Sequence, residues 1–106
     1  MDKLDKMWEE QRKLMDLIYK KNKQLPDSRA LCDAIVCEAV ELKQEIGWKY
    51  WKKPIEVDSE KVRAEYADVL HFVIQLGIEL GLTPDTILNE YMLKHEINMN
   101  RHTNGY

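Results

Sequence analysis

Two pairs of acidic residues stand out in the middle of the chain. Glu38 and Glu41 form the first pair, and Glu65 and Asp68 form the second. Residues three apart on an α-helix share a face, so each pair presents two carboxylates side by side. Four carboxylates brought together away from water would be very costly without cations, and hard oxygen ligands suit Mg²⁺ or Mn²⁺. If the two segments are neighbouring helices, they predict a divalent metal site that could hold a phosphate chain and activate a water molecule.

Two other interpretations of these residues remain open. A single E-x-x-E pattern is common, so the acids could be solvated charges on helix surfaces. His71 follows Asp68 by three residues, and acid-x-x-His is typical of ferritin-like di-iron proteins. Those proteins need the motif on two helices, and the segment around Glu38 has no histidine at the matching spacing. We therefore expect His71 to contact a metal-binding residue and not the metal itself, or to serve in packing of the core.

Helical periodicity places the acids beside apolar faces. Glu38, Glu41 and Glu45 share a sector of about 60° that borders an apolar face, while Val36 and Val40 lie on the opposite side. The second acidic segment also has one apolar face beside its acids and another opposite them. That opposite face consists of Ala67, Leu70, Ile74 and Ile78. Two helices with two apolar sides each indicate the centre of a bundle or of an oligomer.

Cap and turn signals divide the chain into four helices. Pro26, Gly47 and Gly81 end the first three, and Thr83 followed by Pro84 begins the fourth. The predicted helices span residues 2–23, 29–46, 59–80 and 84–100. We expect an all-α subunit similar to a four-helix bundle, with residues 1–106 forming a single domain that assembles into an oligomer.

Composition excludes several classes of partner. The net charge is −3, so no overall basic field favours nucleic acid. No apolar run approaches the ~20 residues that span a membrane, and the charged N-terminus lacks an apolar signal core. We expect a cytoplasmic protein. Cys32 and Cys37 point in different directions on one helix, so we expect reduced, partly buried thiols.

A basic, aromatic loop follows the first acidic segment. Residues 48–53 read WKYWKK, which combines amines with flat rings. Amines can bind phosphates and rings can stack on a base, although the loop could equally cover the end of the bundle.

Three stretches resemble the all-α nucleotide pyrophosphatase superfamily, which includes MazG-like enzymes and dimeric dUTPases. Residues 38–53, EAVELKQEIGWKYWKK, resemble the E-L-x-E-L-x-N-E block and following F-K-x-W of dimeric dUTPases. Residues 65–81, EYADVLHFVIQLGIELG, resemble their E-E-Y-V-D-x-L-H-F-I-L-S-L-G-x-E-L-G segment. Residues 91–106, YMLKHEINMNRHTNGY, resemble their Y-x-x-K-N-x-I-N-x-x-R-Q-x-x-G-Y ending. Together these stretches cover about half of the chain, in the order of that family.

The resemblance implies magnesium-dependent hydrolysis of dUTP to dUMP and pyrophosphate. It implies that Glu38, Glu41, Glu65 and Asp68 bind Mg²⁺, with Mn²⁺ as a substitute, and that Glu45 is a further ligand or helps the attacking water. It also implies a set of residues that contact the nucleotide, with Gln11 at the base and His71 in support. The others are Lys49, Trp51, Lys94, Asn98, Arg101 and Tyr106.

This sequence also departs from the family pattern. Gln44 and His95 stand where the family has Asn, and His102-Thr103 replaces its Arg-Gln. The chain is shorter than typical members, so we expect a second subunit to supply the missing walls. A homodimer is the expected assembly, and a MazG-like tetramer is the alternative.

Two further functions remain in view. The first is the same chemistry on dCTP, on a modified nucleotide or on mixed nucleoside triphosphates. The second is a non-catalytic helical oligomer that binds a nucleotide or a protein regulator.

Overall fold

The structure is a computed structural model that describes residues 2–49, 51–54 and 56–105. Four helices make up most of this part of the chain, and no strand occurs in it. The all-α prediction is confirmed, and the fourth helix runs three residues further than expected. The helices are α1 (Lys3–Asn22), α2 (Ser28–Ile46), α3 (Ser59–Glu79) and α4 (Pro84–Thr103).

Each helix begins at a side chain that accepts a backbone N–H from its own first turn. Asp27 accepts from the amide of Ala30 at 2.9 Å, and Asp2, Asp58 and Thr83 play the same part in the other helices. Such a cap stabilises a helix by about 1 kcal/mol. Gly47 ends α2 in the left-handed conformation, with a φ of 74°, as its position predicted.

Helix α3 lies between α2 and α1. The α2–α3 pair has the more extensive contact, α1 packs on the other side of α3, and α1 and α2 do not meet within the described residues. The buried apolar side chains are few, and they come from all three helices. They are Trp8, Met15, Leu31 and Ile74. The two apolar faces predicted for the second acidic helix are therefore both used.

One close approach fixes α1 against α3. The Trp8 ring lies so near Gly77 that a Cβ atom there would be 2.9 Å from Cζ2 of the ring. The indole Nε1–H also donates to the carbonyl oxygen of Leu82 at 3.2 Å. Trp8 thereby ties α1 to both the end of α3 and the connection that follows it.

Helix α4 makes little contact with the rest of the described chain. Within the described residues it packs only against α1, and every residue from 88 to 105 is exposed. The radius of gyration is 17.1 Å, whereas a compact domain of this length would have about 13 Å. The four helices therefore do not close into a bundle inside one chain.

Other parts of the surface are also more open than the sequence suggested. Val36 and Val40 on the second face of α2 are 62% and 44% exposed, so this face is uncovered in the single chain. Cys32 and Cys37 are free and exposed, which corrects the expectation of partly buried thiols, because α2 packs on α3 alone. No helix in the described part of the chain is both long and apolar enough to cross a membrane.

Candidate active site

The acidic residues of α2 and α3 meet where these two helices pack together. Oxygen atoms of Glu38, Glu65 and Asp68 all lie within 4.8 Å of one another. The i, i+3 spacing brings the residues of one pair to one helix face, and the α2–α3 contact brings the two faces together. The convergence predicted from the sequence is therefore present in the fold.

Burial and mutual repulsion both act on this cluster. Burial raises the pKa of the Glu38 carboxyl above its usual 4.5, and contact with Glu41 raises it further. Burial likewise raises the pKa of Glu65, with the charge of Glu41 as the next cause. Glu41 therefore lies beside the three clustered acids, and Glu45 adds a smaller charge effect on Glu65. All five predicted acids lie in one neighbourhood.

Two oxygens of the cluster have no hydrogen-bond partner. These are Oε2 of Glu38 and Oε2 of Glu65, and both are buried. A buried carboxylate oxygen without a donor costs free energy unless a cation or a proton compensates it. The arrangement therefore has the donor type, the proximity and the unmet charge that suit a hard divalent cation.

A cavity of about 250 Å³ lies between α1 and α3. Gln11 and His71, both predicted to serve the nucleotide, line it together with Met7, Leu70 and Ile74. The other α3 residues of the lining, among them Leu70 and Ile74, belong to the apolar face opposite the acids, and His71 lies between the two sides, three residues after Asp68. Gln11 and His71 therefore share one cavity, and the acids lie on the other side of α3, where α2 packs.

The two side chains of this cavity are held in defined orientations. His71 Nδ1 is 2.8 Å from the carbonyl oxygen of Ala67, and since a carbonyl only accepts, Nδ1 carries the proton. In the neutral ring this leaves Nε2 as an acceptor. Gln11 is buried, and its Nε2 donates to Oε1 of Gln75 at 3.3 Å.

Gln75 is a residue that sequence reasoning missed. It is 5% exposed and fixes the amide of Gln11 across the α1–α3 interface. A glutamine inside the apolar run VIQLG, where the dUTPase pattern has serine, was the available signal. Its partner is 64 positions away, so only the tertiary fold identifies the contact.

The loop after α2 forms a second, smaller recess. A cavity of about 230 Å³ is lined by Trp48, Lys49, Lys52 and neighbouring residues. The Trp48 and Trp51 rings meet edge to face at 5.5 Å, and Lys43 Nζ lies 3.9 Å from the centre of the Trp48 ring. The aromatic and cationic groups predicted here are present, and Trp51 is exposed.

The predicted phosphate-binding residues of the C-terminal segment are placed differently. Lys94, Asn98 and Arg101 lie on α4, which packs on neither of the helices that carry the acids. Helix packing within one chain does not bring them to the cluster. Tyr106, also predicted to contact the nucleotide, lies outside the described residues.

Comparison with known proteins supplies a relative and a family. The dCTP pyrophosphatase of Enterobacteria phage T4 is 32% identical over 71 residues, covering 56% of this chain. The aligned part is 42% of that protein, so the chain spans less than half the length of this curated relative. No solved structure gave a significant match.

The family match covers most of the chain. The model of a family described as dUTPase matches residues 3–84, which include all three helices that carry the acidic cluster and the α1–α3 cavity. The match ends where α4 begins. Because it extends over far more than half of the sequence, this chain belongs to the all-α dUTPase family, within the MazG-like superfamily.

Proposed function

We propose that this chain is a nucleotide diphosphatase that hydrolyses a nucleoside triphosphate to the monophosphate and pyrophosphate, with dUTP as the best-matched substrate. The observation that supports this most directly is the convergence of Glu38, Glu65 and Asp68 within 4.8 Å, in a member of the dUTPase family. A carboxylate cluster is the group that positions a metal-associated triphosphate in this kind of reaction.

The donor set fits Mg²⁺, and Mn²⁺ is an acceptable substitute. The metal would be held by Glu38, Glu41, Glu65 and Asp68. The two buried oxygens without hydrogen-bond partners, one each on Glu38 and Glu65, would be among its ligand atoms. When bound, Mg²⁺ would neutralise charge on the triphosphate and make a water molecule easier to deprotonate.

We assign proton transfer and binding of the phosphates to side chains of this chain. Glu38 or Glu45 accepts a proton as water attacks the α-phosphorus, and the bond from that phosphorus to the bridging oxygen breaks. Pyrophosphate leaves with the bonding electrons, and cationic side chains stabilise its charge. The residues that we assign to the phosphates are Lys49, Lys94, Asn98, Arg101 and Tyr106.

The α1–α3 cavity is our candidate for the base. Its volume of about 250 Å³ accommodates a pyrimidine, and its walls are mostly apolar. Gln11 offers amide groups that can pair with a pyrimidine edge, and His71 offers an acceptor at Nε2. Trp51 would stack on the nucleotide from the loop after α2.

One alternative substrate has an observation in its favour. The phage relative is named a dCTP pyrophosphatase, which keeps dCTP in view for this chain. Amides can pair with either uracil or cytosine, so the residues of the cavity do not by themselves decide between them. A modified nucleotide or mixed nucleoside triphosphates are the other candidates with the same chemistry.

The test is a panel of nucleoside triphosphates assayed with and without Mg²⁺, with monophosphate and pyrophosphate measured separately. We expect pyrophosphate from dUTP that requires the metal. A preference ratio near one for dUTP over dCTP would reject the dUTP assignment and keep the chemistry. Pyrophosphate from no substrate, together with no stabilisation by Mg²⁺ and an uncleavable dUTP analogue, would favour the non-catalytic nucleotide-binding oligomer.

We also propose a homodimer as the working assembly, with a tetramer as the alternative. The uncovered face of α2 and the exposure of α4 from residue 88 to residue 105 support an assembly larger than one chain. A cytoplasmic location stays a prediction from the sequence.

A further inference from the structure

We infer that Glu10 is a specificity-determining residue, whose carboxylate shifts the preference of the α1–α3 cavity towards a base with an exocyclic amino group, as in cytosine. This inference rests on the proposed function, in which that cavity holds the base. It adds a residue outside the sequence motifs and the acidic cluster, and it gives the direction in which that residue changes the choice between dCTP and dUTP.

Glu10 lines the cavity from the same face of α1 as Gln11. Glu10 and Gln11 follow Met7 by three and four residues, which places the three side chains on one face of the helix. All three line the cavity. Gln11 is 4% exposed, whereas the side chain of Glu10 is 58% exposed. Gln11 therefore belongs to the inner wall of the cavity and Glu10 to its opening.

The carboxylate of Glu10 keeps one oxygen available to a ligand. Lys13 donates to Oε1 of Glu10 at 3.1 Å, and the same ammonium lies 3.8 Å from Oε1 of Glu9. Within the described residues, Oε2 of Glu10 has no hydrogen-bond partner. An ionised carboxylate only accepts hydrogen bonds. A group that enters the opening of the cavity therefore meets an acceptor with a negative charge.

The other polar side chains of the cavity also offer mainly acceptors. Nε2 of His71 accepts in the neutral ring, because Nδ1 donates to the carbonyl oxygen of Ala67. One N–H of the Gln11 amide already donates to Gln75, which leaves the second N–H and the amide oxygen for a ligand. The base therefore meets more acceptors than donors.

This set of groups treats cytosine and uracil differently. The N4 amino group of cytosine donates hydrogen bonds, and a Glu or Asp carboxylate is a natural acceptor for it. The O4 atom of uracil only accepts, so at the same position it would face the carboxylate of Glu10 without a donor. Gln11 can pair with either base. The carboxylate thus shifts a balance that the amide leaves open.

The test compares kcat/KM for dCTP over dUTP in two matched variants. Glu10→Gln keeps the size of the side chain, removes its charge and adds a donor, so we expect this ratio to fall by about tenfold. Glu9→Gln removes the same charge from the other partner of Lys13, at a residue outside the described lining, and should leave the ratio unchanged. Any effect of charge on the triphosphate alone cancels in the ratio.

Failure of this inference differs from failure of the proposed function. A wild type that releases no pyrophosphate from either nucleotide rejects the proposed function. Calorimetric titration with dCMP and dUMP then decides the role of Glu10, and equal relative affinities in the wild type and Glu10→Gln would overturn it.

In an active protein, three results would overturn the inference. One is an unchanged ratio in Glu10→Gln, and another is an equal fall in Glu9→Gln. The third is a wild type that hydrolyses dUTP and does not accept dCTP.

Discussion

At Glu38, the arrangement that favours metal binding also destabilises the metal-free fold. Its Oε2 atom is buried without a donor, and neighbouring carboxylates raise the pKa of the side chain. In the absence of a cation the ionised form is therefore unfavourable in the folded protein. The same proximity of carboxylates is what a divalent metal requires. A neutral isostere at this position should separate the two effects.

We expect Glu38→Gln to stabilise the metal-free protein at neutral pH. A carboxyl whose pKa is raised by folding stabilises the folded state at a pH below its pKa in the unfolded chain, which is near 4.5. That contribution is lost as pH rises through the raised pKa of the folded state. Glutamine does not ionise, so this loss does not occur in the variant. As pH rises above the raised pKa, the melting temperature of Glu38→Gln should exceed that of the wild type by a growing margin. Thermal denaturation in EDTA from acid to neutral pH measures the difference, with the exposed Glu56→Gln as control.

The same variant should lose activity and its response to metal. Removing one ligand that acts in the transition state should lower kcat/KM by about a hundredfold or more. Mg²⁺ should raise the melting temperature of the wild type but barely change that of Glu38→Gln, since binding stabilises only a folded state that has the site. Turnover close to wild type in Glu38→Gln, or equally in Asp68→Asn, would exclude that residue as an essential ligand.

A second residue-scale prediction concerns Gln75. In Gln75→Leu the buried amide of Gln11 loses its acceptor, and stability should fall by about 1–3 kcal/mol. The freed amide can rotate, so the ratio of kcat/KM for dUTP over dCTP should move towards one. Chemical denaturation measures the stability, and kcat/KM for dUTP and for dCTP measures the substrate preference. The exposed Gln24→Leu is the control. An unchanged ratio in an active variant would show that Gln75 supports packing only.

At the scale of elements, the sequence predicted what is decided locally. The cap at Thr83 and the stop at Gly47 were predictable because each depends on neighbours within one turn. Convergence of the acids was predictable because the i, i+3 spacing restricts each pair to one face. The contacts of α1 with α3 were not, since periodicity shows which face is apolar and not which side chain meets it.

The contact between Trp8 and Gly77 tests the packing of α1 on α3. A Cβ atom at residue 77 would meet the ring at 2.9 Å, and the ring is buried and held by its bond to Leu82. Alanine favours a helix by up to about 1 kcal/mol, but overpacking costs about 1–3 kcal/mol. We therefore expect Gly77→Ala to lower the free energy of unfolding.

The matched background for that test is Trp8→Phe, which shortens the ring. There, Gly77→Ala should be neutral or stabilising, because the contact is absent and the helix preference remains. A double-mutant cycle by chemical denaturation measures the coupling. Equal effects of Gly77→Ala in both backgrounds would show that the ring moves aside without cost.

At the scale of the whole molecule, α4 is the part that the sequence could not place. It carries an exposed apolar stripe that consists of Leu88, Tyr91, Met92 and Met99, and nothing in the sequence pattern specifies what covers these side chains. The single chain leaves it in solvent and has a radius of gyration of 17.1 Å. The fold of one copy is therefore incomplete as a bundle, which makes self-association a property of the molecule that substitutions in α4 can test.

Met92→Glu places a carboxylate in the middle of the stripe, next to Tyr91 and His95. If a second copy covers the stripe, the charge must leave water on association, and dimer affinity should fall by about tenfold or more. Gln24→Glu adds the same charge at an exposed position outside α4 and should leave affinity nearly unchanged. Sedimentation across a concentration series measures the dimer affinity of both variants. The activity of Met92→Glu should recover at high protein concentration, because dissociation of the dimer limits it and the chemical step is intact. A variant that dimerises like the wild type would show that the stripe stays in solvent.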